Sequence, residues 1–282
     1  GISKLDERNG GFYAGQSIII GARPSMGKSA FMGQMAIAMA EQGKKVGIIS
    51  LEMANNEIAG RLAALDTEID FKTIYRNLFR DERQKEIFHN RISNSTAGLS
   101  IWISDETKLN PMDIRAKADK LKKMHGLDVL FIDYLQLISA DQTANKNREN
   151  VVSEISRSCK IMAKDLSIPV IALCQLNRAV TNRVGDNRFP QPSDLRESGS
   201  LEQDADVIGF IHRDWMAGIA NDAAGNSTEN KAHIIWRKWR NGEANLEMEV
   251  GFDGPKMRFV FDDVHENRYM PEVDNQGDQP FN

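Results

Sequence analysis

The stretch Ser17-Ile18-Ile19-Ile20-Gly21-Ala22-Arg23-Pro24-Ser25-Met26-Gly27-Lys28-Ser29 decides how the rest of the chain is read. An apolar run enters a loop that closes on Gly-Lys-Ser, and an Ala- and Met-rich segment with helical spacing follows to Gln42. Strand, loop and helix in this order are the setting of a phosphate-binding loop. Backbone N–H groups of such a loop, with a helix N-terminus behind them, offer donors and positive potential to a β-phosphate. Lys28 reaches the β- and γ-phosphates and the Ser29 hydroxyl suits Mg²⁺, so Ala22, Arg23, Pro24, Ser25, Met26, Gly27, Lys28 and Ser29 are expected to hold a nucleoside triphosphate. The strict pattern asks for Gly at position 22, where this chain has Ala22 preceded by Gly21.

Other strand ends carry polar residues that fit the same chemistry. Val129-Leu130-Phe131-Ile132-Asp133 is an apolar run closed by a carboxylate. Alone, such an Asp is often a turn former. Behind a phosphate loop, Asp133 is expected to complete the Mg²⁺ site with Ser29. Glu52 follows directly on Ile48-Ile49-Ser50-Leu51 and is expected to activate the attacking water, with a surface or capping role as the plainer alternative. Gln175 ends the run Val170–Cys174 and is placed to sense the γ-phosphate. The loop Leu176–Ser198 carries Arg178, Arg183, Arg188 and Arg196 against Asp186, Asp194 and Glu197, with Gly185, Pro190 and Pro192, and is expected to be ordered locally at best. A basic loop beside a nucleotide sensor suits a phosphate backbone, although an ordinary solvated loop also fits. Lys238 and Arg240 lie two apart before Asn241-Gly242 and share one strand face. They could act on a neighbouring subunit's γ-phosphate. By the residues alone a solvated hairpin face is the simpler reading, with Trp236 and Trp239 as packing residues.

Further apolar runs, Val46–Ser50, Leu99–Ser104, Asp128–Asp133, Pro169–Gln175 and Asp206–His212, are near-continuous rather than alternating, which predicts strands covered on both faces, as in a parallel sheet. Helices are expected over Ser29–Gln42 with Gly43 behind it, over Asn56–Glu68 from an Asn cap, from Asn110-Pro111 to Gly126, and over Asn147–Leu166. After residue 231, Ala232–Trp239, Asn245–Phe252 and Lys256–Phe261 read as an antiparallel meander turned by Asn-Gly and Asp-Gly. The expected fold is α/β: a mainly parallel sheet covered by helices, with a C-terminal antiparallel meander. One folded domain is expected over residues 1–263, and a polar, loosely held tail over 264–282.

The 282 residues, 41% hydrophobic and 27% charged, argue against disorder. With 36 basic and 40 acidic residues the net charge is −4, so any nucleic-acid groove is local rather than global. No apolar run approaches the ~20 residues that span a bilayer, and a cytoplasmic setting is expected. Two cysteines build neither a disulfide framework nor a zinc site, and the five His residues are scattered without metal spacing.

Taken in order, Ala22–Ser29, Ser50-Leu51-Glu52-Met53, Phe131-Ile132-Asp133-Tyr134-Leu135-Gln136-Leu137, Gln175-Leu176-Asn177-Arg178, Asp194 through Asp206 and Lys238-Trp239-Arg240-Asn241-Gly242 resemble the bacterial and phage replicative DNA helicases of the DnaB type. Ala22 is usual there. The resemblance covers about residues 1–262 and implies a RecA-like P-loop NTPase motor working as a homohexameric ring. ATP and Mg²⁺ would sit between subunits, with single-stranded DNA at the centre and 5′-to-3′ movement. It implies Glu52 as base, Gln175 as sensor, Lys238 and Arg240 acting in trans, and DNA contacts from Arg196, Glu197 and Gly199, with Arg178 and Arg183 as weaker additions. Glu197 would orient Arg196 or donate through its backbone. Primase and a helicase loader are implied partners, through parts not all present here, and an N-terminal helical domain is expected outside this chain. Asp214–Asn230 reads as a polar insert beyond the family pattern. A RecA-type recombinase and a nucleotide-gated scaffold without useful turnover are the rival readings.

Overall fold

The computed structural model describes residues 3–138, 148–178, 180, 183, 188–195 and 199–268. The elements run α1 (Ser3–Asn9), β1 (Ser17–Ala22), α2 (Lys28–Glu41), β2 (Val46–Ser50), α3 (Asn55–Thr67), α4 (Phe71–Tyr75), α5 (Glu82–Asn94), β3 (Ile101–Ser104), α6 (Pro111–His125), β4 (Val129–Asp133), α7 (Arg148–Leu166), β5 (Val170–Gln175), α8 (Gly199–Asp204), β6 (Val207–His212), β7 (Lys231–Trp239), β8 (Leu246–Asp253) and β9 (Arg258–Arg268). The strands form one sheet in the order β3-β2-β4-β5-β1-β6-β7-β8-β9. The first six in that order are parallel, and β7, β8 and β9 continue antiparallel from β6.

The near-continuous apolar runs are explained by cover on both faces. Ile18 and Ile20 of β1 pack with Phe31, Met32 and Met35 of α2, together with Phe131 and Trp236. Ile19 points the other way, into a second core with Leu130, Ile132, and Ile155, Cys159 and Met162 of α7. Trp236 and Trp239 are buried, and Trp239 stacks on Phe12, so both are packing residues. Asn110 caps α6, accepting from Met112 and Asp113 N–H at 2.8 and 3.0 Å, and Gly126 ends it at φ 76°. Among the described residues no helix is long and apolar enough to cross a membrane.

The structure departs from the sequence reading in several places. Helix α3 starts at Asn55 without an Asn side-chain cap; the Asn55 N–H donates instead to Asp105 Oδ2, from the loop after β3, at 2.9 Å. Helices α1, α4, α5 and α8 fall outside that reading. Neither α4 nor α5 has a buried residue; both lie at the surface. The backbone of β9 runs five residues past the expected domain end at 263, pairing Leu246 with Arg268 and Glu249 with His265. The insert Asp214–Asn230 is built of turns: Asp222 accepts from the N–H groups of Ala224 and Asn226, and Lys231 bridges Asp222 and Glu249.

Beneath that insert the β6–β7 register pairs His212 with His233, two residues far apart in sequence. Asp214 receives His212 Nε2 and Arg188 Nε at 3.0 Å each and lies 3.5 Å from His233 Nε2; His233 Nδ1 lies 3.2 Å from Glu247. Burial alone would lower the His233 pKa, but hydrogen bonds and charge from Asp214 and Glu247 raise it from 6.5 to about 9. Burial raises Asp214, and the two histidines with Arg188 more than offset this, holding it well below the usual carboxylate range. With His233 protonated, two carboxylates face two cations. The His233 contribution to stability is fully present below pH 6.5 and is lost as pH rises through about 9. The Asp214 contribution is present above its ordinary 3.8 and is lost as pH falls. Stability to denaturant measured from pH 6 to 10 should therefore fall on the alkaline side by an amount on the order of 3 kcal/mol, and His233→Gln should flatten that fall. Identical pH slopes for parent and variant would contradict this account.

Candidate nucleotide-binding site

In a parallel sheet, loops at the carboxyl ends of the strands share one edge. Here that edge bears a cleft of about 770 Å³ lined by Ala22–Ser25, Gly27–Ala30, Glu52, Tyr134, Gln175, Arg213 and Phe252. The loop from β1 to α2 passes through left-handed backbone at Ser25, φ 66°, and Gly27, φ 96°. At Gly27 a Cβ would also lie 2.9 Å from the Phe259 ring, so glycine is required twice over. Ala22, where the strict pattern has Gly, is still inside β1, paired with Gln175 and Ile211 and buried. A methyl group there packs into the core rather than into the loop. Gly27 sits at the cap of α2 without a side-chain hydrogen bond, so no side chain competes for the N–H donors of the first turn.

Beneath this helix end, Ser29 Oγ donates to Asp133 Oδ2 at 3.0 Å, and Lys28 Nζ lies 3.3 Å from Asp133 Oδ1 and 4.0 Å over the Tyr134 ring. Asp133 is 0% exposed. Such a carboxylate requires a countercharge, which Lys28 supplies. The register Ser50↔Asp133 brings β2 to the same edge. Ser50 Oγ accepts from Met53 N–H at 2.9 Å, turning the chain so that Glu52 stands exposed at the cleft. Gln175 enters from β5. The structure thus gathers Lys28, Ser29, Glu52, Asp133 and Gln175 around one cleft.

Three further contributors lie outside the sequence reading. Gln136 clamps the Gln175 backbone, accepting from its N–H at 3.1 Å and donating to its carbonyl at 3.0 Å. Its place three residues after Asp133 was the available signal. Arg213 follows β6, beside β1, and its guanidinium lies 4.0 Å from the centre of the Phe252 ring. Burial lowers the Arg213 pKa, opposed by the charge of Glu229. No local motif marks Arg213 or Phe252; only the strand order brings them to the cleft.

Other expected site residues lie elsewhere. The antiparallel register Ile208↔Lys238 and His212↔His233 puts Lys238 and Arg240 at the opposite sheet edge, four strand residues or ~13 Å below the level of the phosphate loop. They are not in their own subunit's cleft. Lys238 Nζ donates to the Glu202 carbonyl at 2.6 Å, and Arg240 Nη1 lies 3.1 Å from Asp206 Oδ1. Arg178 is exposed after β5. Arg183 makes a two-armed pair with Asp194 at 2.8 and 2.5 Å, and Arg188 is held by Asp214. The loop is thus anchored where it is described, with Leu176 bridged to Leu195. Gly199 opens α8 with open space around it. Arg196 and Glu197 lie outside the described residues.

Comparison with known proteins agrees with this geometry. A family model described as the DnaB-like helicase C-terminal domain matches residues 1–261. Replicative DNA helicase DnaB of Geobacillus stearothermophilus is 40% identical over 263 residues, covering 92% of this chain and 55% of the relative. That of Rickettsia typhi (strain ATCC VR-144 / Wilmington) is 38% identical over 265 residues, covering 86% and 52%. The chain spans about half the length of these curated relatives. Among solved structures, a DnaB-like replicative helicase, described with its interactions with primase, matches at TM-score 0.82 and 34% identity over 92% of this chain and 62% of its own length. A separately solved ATPase domain matches at the same TM-score and identity, over 92% of this chain and 89% of its own. With the mainly parallel sheet, the phosphate loop and the strand-end acids all inside the matched span, the chain belongs to the DnaB-like helicase C-terminal domain family.

Proposed function

We propose that this chain is the Mg-ATP-driven motor of a replicative DNA helicase, moving 5′ to 3′ on single-stranded DNA within a ring of six copies. The observation that carries the reading is the convergence of Lys28, Ser29 and Asp133 under an α2 N-terminus that no side chain caps. The matched relatives, named as replicative helicases, support it over a recombinase or a scaffold. A primase partner is suggested by the matched structure named for its interactions with primase.

The Ser29 hydroxyl and the Asp133 carboxylate fit Mg²⁺: both are hard oxygen donors, and Asp133 Oδ1 is buried without a hydrogen bond. Held there by Ser29 and Asp133, Mg²⁺ would offset the negative charge of the phosphates. Lys28 holds the transferring phosphate, and Glu52 accepts the proton of the attacking water. The Gln175 amide hydrogen-bonds the γ-phosphate. Its backbone is fixed by Gln136, so a change at the amide passes into the loop from Leu176. Arg213 and Phe252, which line the cleft in contact with each other, are the residues placed to meet the nucleotide base. Lys238 and Arg240 act on the neighbour's ATP. Arg178, Arg196, Glu197 and Gly199 belong to the DNA path, and Arg183, engaged by Asp194, is the weaker addition to it.

Strand displacement on a fork tests the reading. A 5′-tailed fork should open with ATP and stay closed with a non-hydrolysable analogue, whereas opening without hydrolysis would contradict it. Single-stranded DNA affinity should be nearly sequence-independent and fall steeply with salt. Arg178→Ala should flatten the slope of log K against log salt by about 0.7, one phosphate contact on a single strand. An unchanged slope would remove Arg178 from the DNA path.

A further inference from the structure

We propose that Asp206 is a positioning residue that seats Arg240, with the Glu202 carbonyl seating Lys238, so that the two cations are held ready for the adjacent subunit's phosphate. The inference rests on the reading of Lys238 and Arg240 as acting in trans.

Asp206 is 4% exposed at the entry to β6. Its two carboxylate oxygens are divided between inside and outside. Oδ2 accepts from the Ser17 N–H at 2.9 Å and from Lys160 Nζ of α7. Oδ1 faces Arg240 Nη1 at 3.1 Å. The backbone is tied in the same way: Asp206 N–H donates to the Ser17 carbonyl, and Arg240 N–H donates to the Asp206 carbonyl, both at 2.8 Å. Arg240 is therefore gripped by one residue at main chain and side chain, and that residue is itself fixed to the start of the central strand. Its side chain is 52% exposed and engaged through one terminal nitrogen, while a guanidinium carries five donors. The pairing sets the direction of the group and leaves donors facing outward.

The seat answers an electrostatic problem. Two cations two residues apart in the chain, Lys238 near the end of β7 and Arg240 just past it, repel. Burial, and then the charge of Arg240, lowers the Lys238 pKa, while Asp206, Glu202 and Asp204 oppose this. The Glu202 carbonyl belongs to the short helix α8, and a carbonyl near a helix C-terminus is a favourable partner for an ammonium group. A cation already aimed before it meets phosphate loses little freedom on arrival, and misplacement by ~1 Å can cost about 10²-fold in rate.

The test uses rings of verified composition by native mass. Asp206→Asn should lower ATP turnover by about 10- to 100-fold. Its own site, with Lys28 and Glu52, remains whole, so only its ability to serve a neighbour is lost. Mixing it with Glu52→Gln subunits, which keep their cations, should restore turnover, and mixing it with Arg240→Ala subunits should not. A subunit that is merely damaged would recover with neither. Lys160→Gln removes the other cation from the same carboxylate and should stay within about twofold of the parent. Parent-rate turnover by Asp206→Asn overturns the seat. So does absent recovery with Glu52→Gln when an Arg240→Ala and Glu52→Gln control mixture does recover. Full turnover by Arg240→Ala alone would instead overturn the trans reading beneath it.

Discussion

Glu52→Gln should bind Mg-ATP as the parent does and hydrolyse it about 10²- to 10⁴-fold more slowly, the usual worth of a general base. The side chain stands exposed at the cleft after the turn that Ser50 Oγ makes with Met53, and among the described residues it has no ion pair or side-chain hydrogen bond that the fold would miss. The amide keeps its size and removes only the ability to take a proton. Binding measured with a fluorescent nucleotide and turnover measured by phosphate release separate the two effects. Parent-rate hydrolysis would return Glu52 to a surface role. Loss of binding together with hydrolysis would mean that it shapes the pocket rather than the reaction.

Arg240→Ala should leave nucleotide binding by a single subunit intact and lower turnover in the assembled ring by a factor on the order of 10³, as loss of a trans cation does. The register that puts Arg240 at the sheet edge opposite its own phosphate loop makes the expectation specific, because the side chain lies outside the cleft of its own subunit. Mixed rings give the sharper reading. A Glu52→Gln subunit keeps its cation and an Arg240→Ala subunit keeps its chemistry, so junctions between them should regain activity. Rings proven to be mixed that regain none would favour the solvated-hairpin alternative.

Much of this site was legible because its residues are covalently next to strand ends. The apolar run before Gly27-Lys28-Ser29, the Asp closing Val129–Ile132, Glu52 just past β2 and Gln175 ending β5 all meet at one edge once the strands are parallel. Arg213 and Phe252 were not legible: they reach the cleft because β6 lies beside β1 and β8 lies beyond β7, and sheet order is not written in local sequence. The arginines of the loop after β5 illustrate the same limit. Their spacing gave four equivalent cations, yet Arg183 is spent on Asp194 and Arg188 on Asp214, the latter pair joining parts of the chain 26 residues apart. For the fold, β1, β2, β4, β5 and β6 were visible as doubly covered runs and β3, read the same way, is a half-buried edge strand, whereas α4 and α5 bury nothing and the end of β9, Asp-Asp-Val-His-Glu-Asn-Arg, pairs by backbone without an apolar alternation to announce it.

Steady-state ATP turnover, titrated with single-stranded DNA on a species whose native mass is measured in the same buffer, decides whether the cleft powers a motor that answers to DNA. A multimer whose turnover rises severalfold and saturates with DNA is the expected result. A proven multimer whose turnover is absent, or indifferent to DNA, would contradict it.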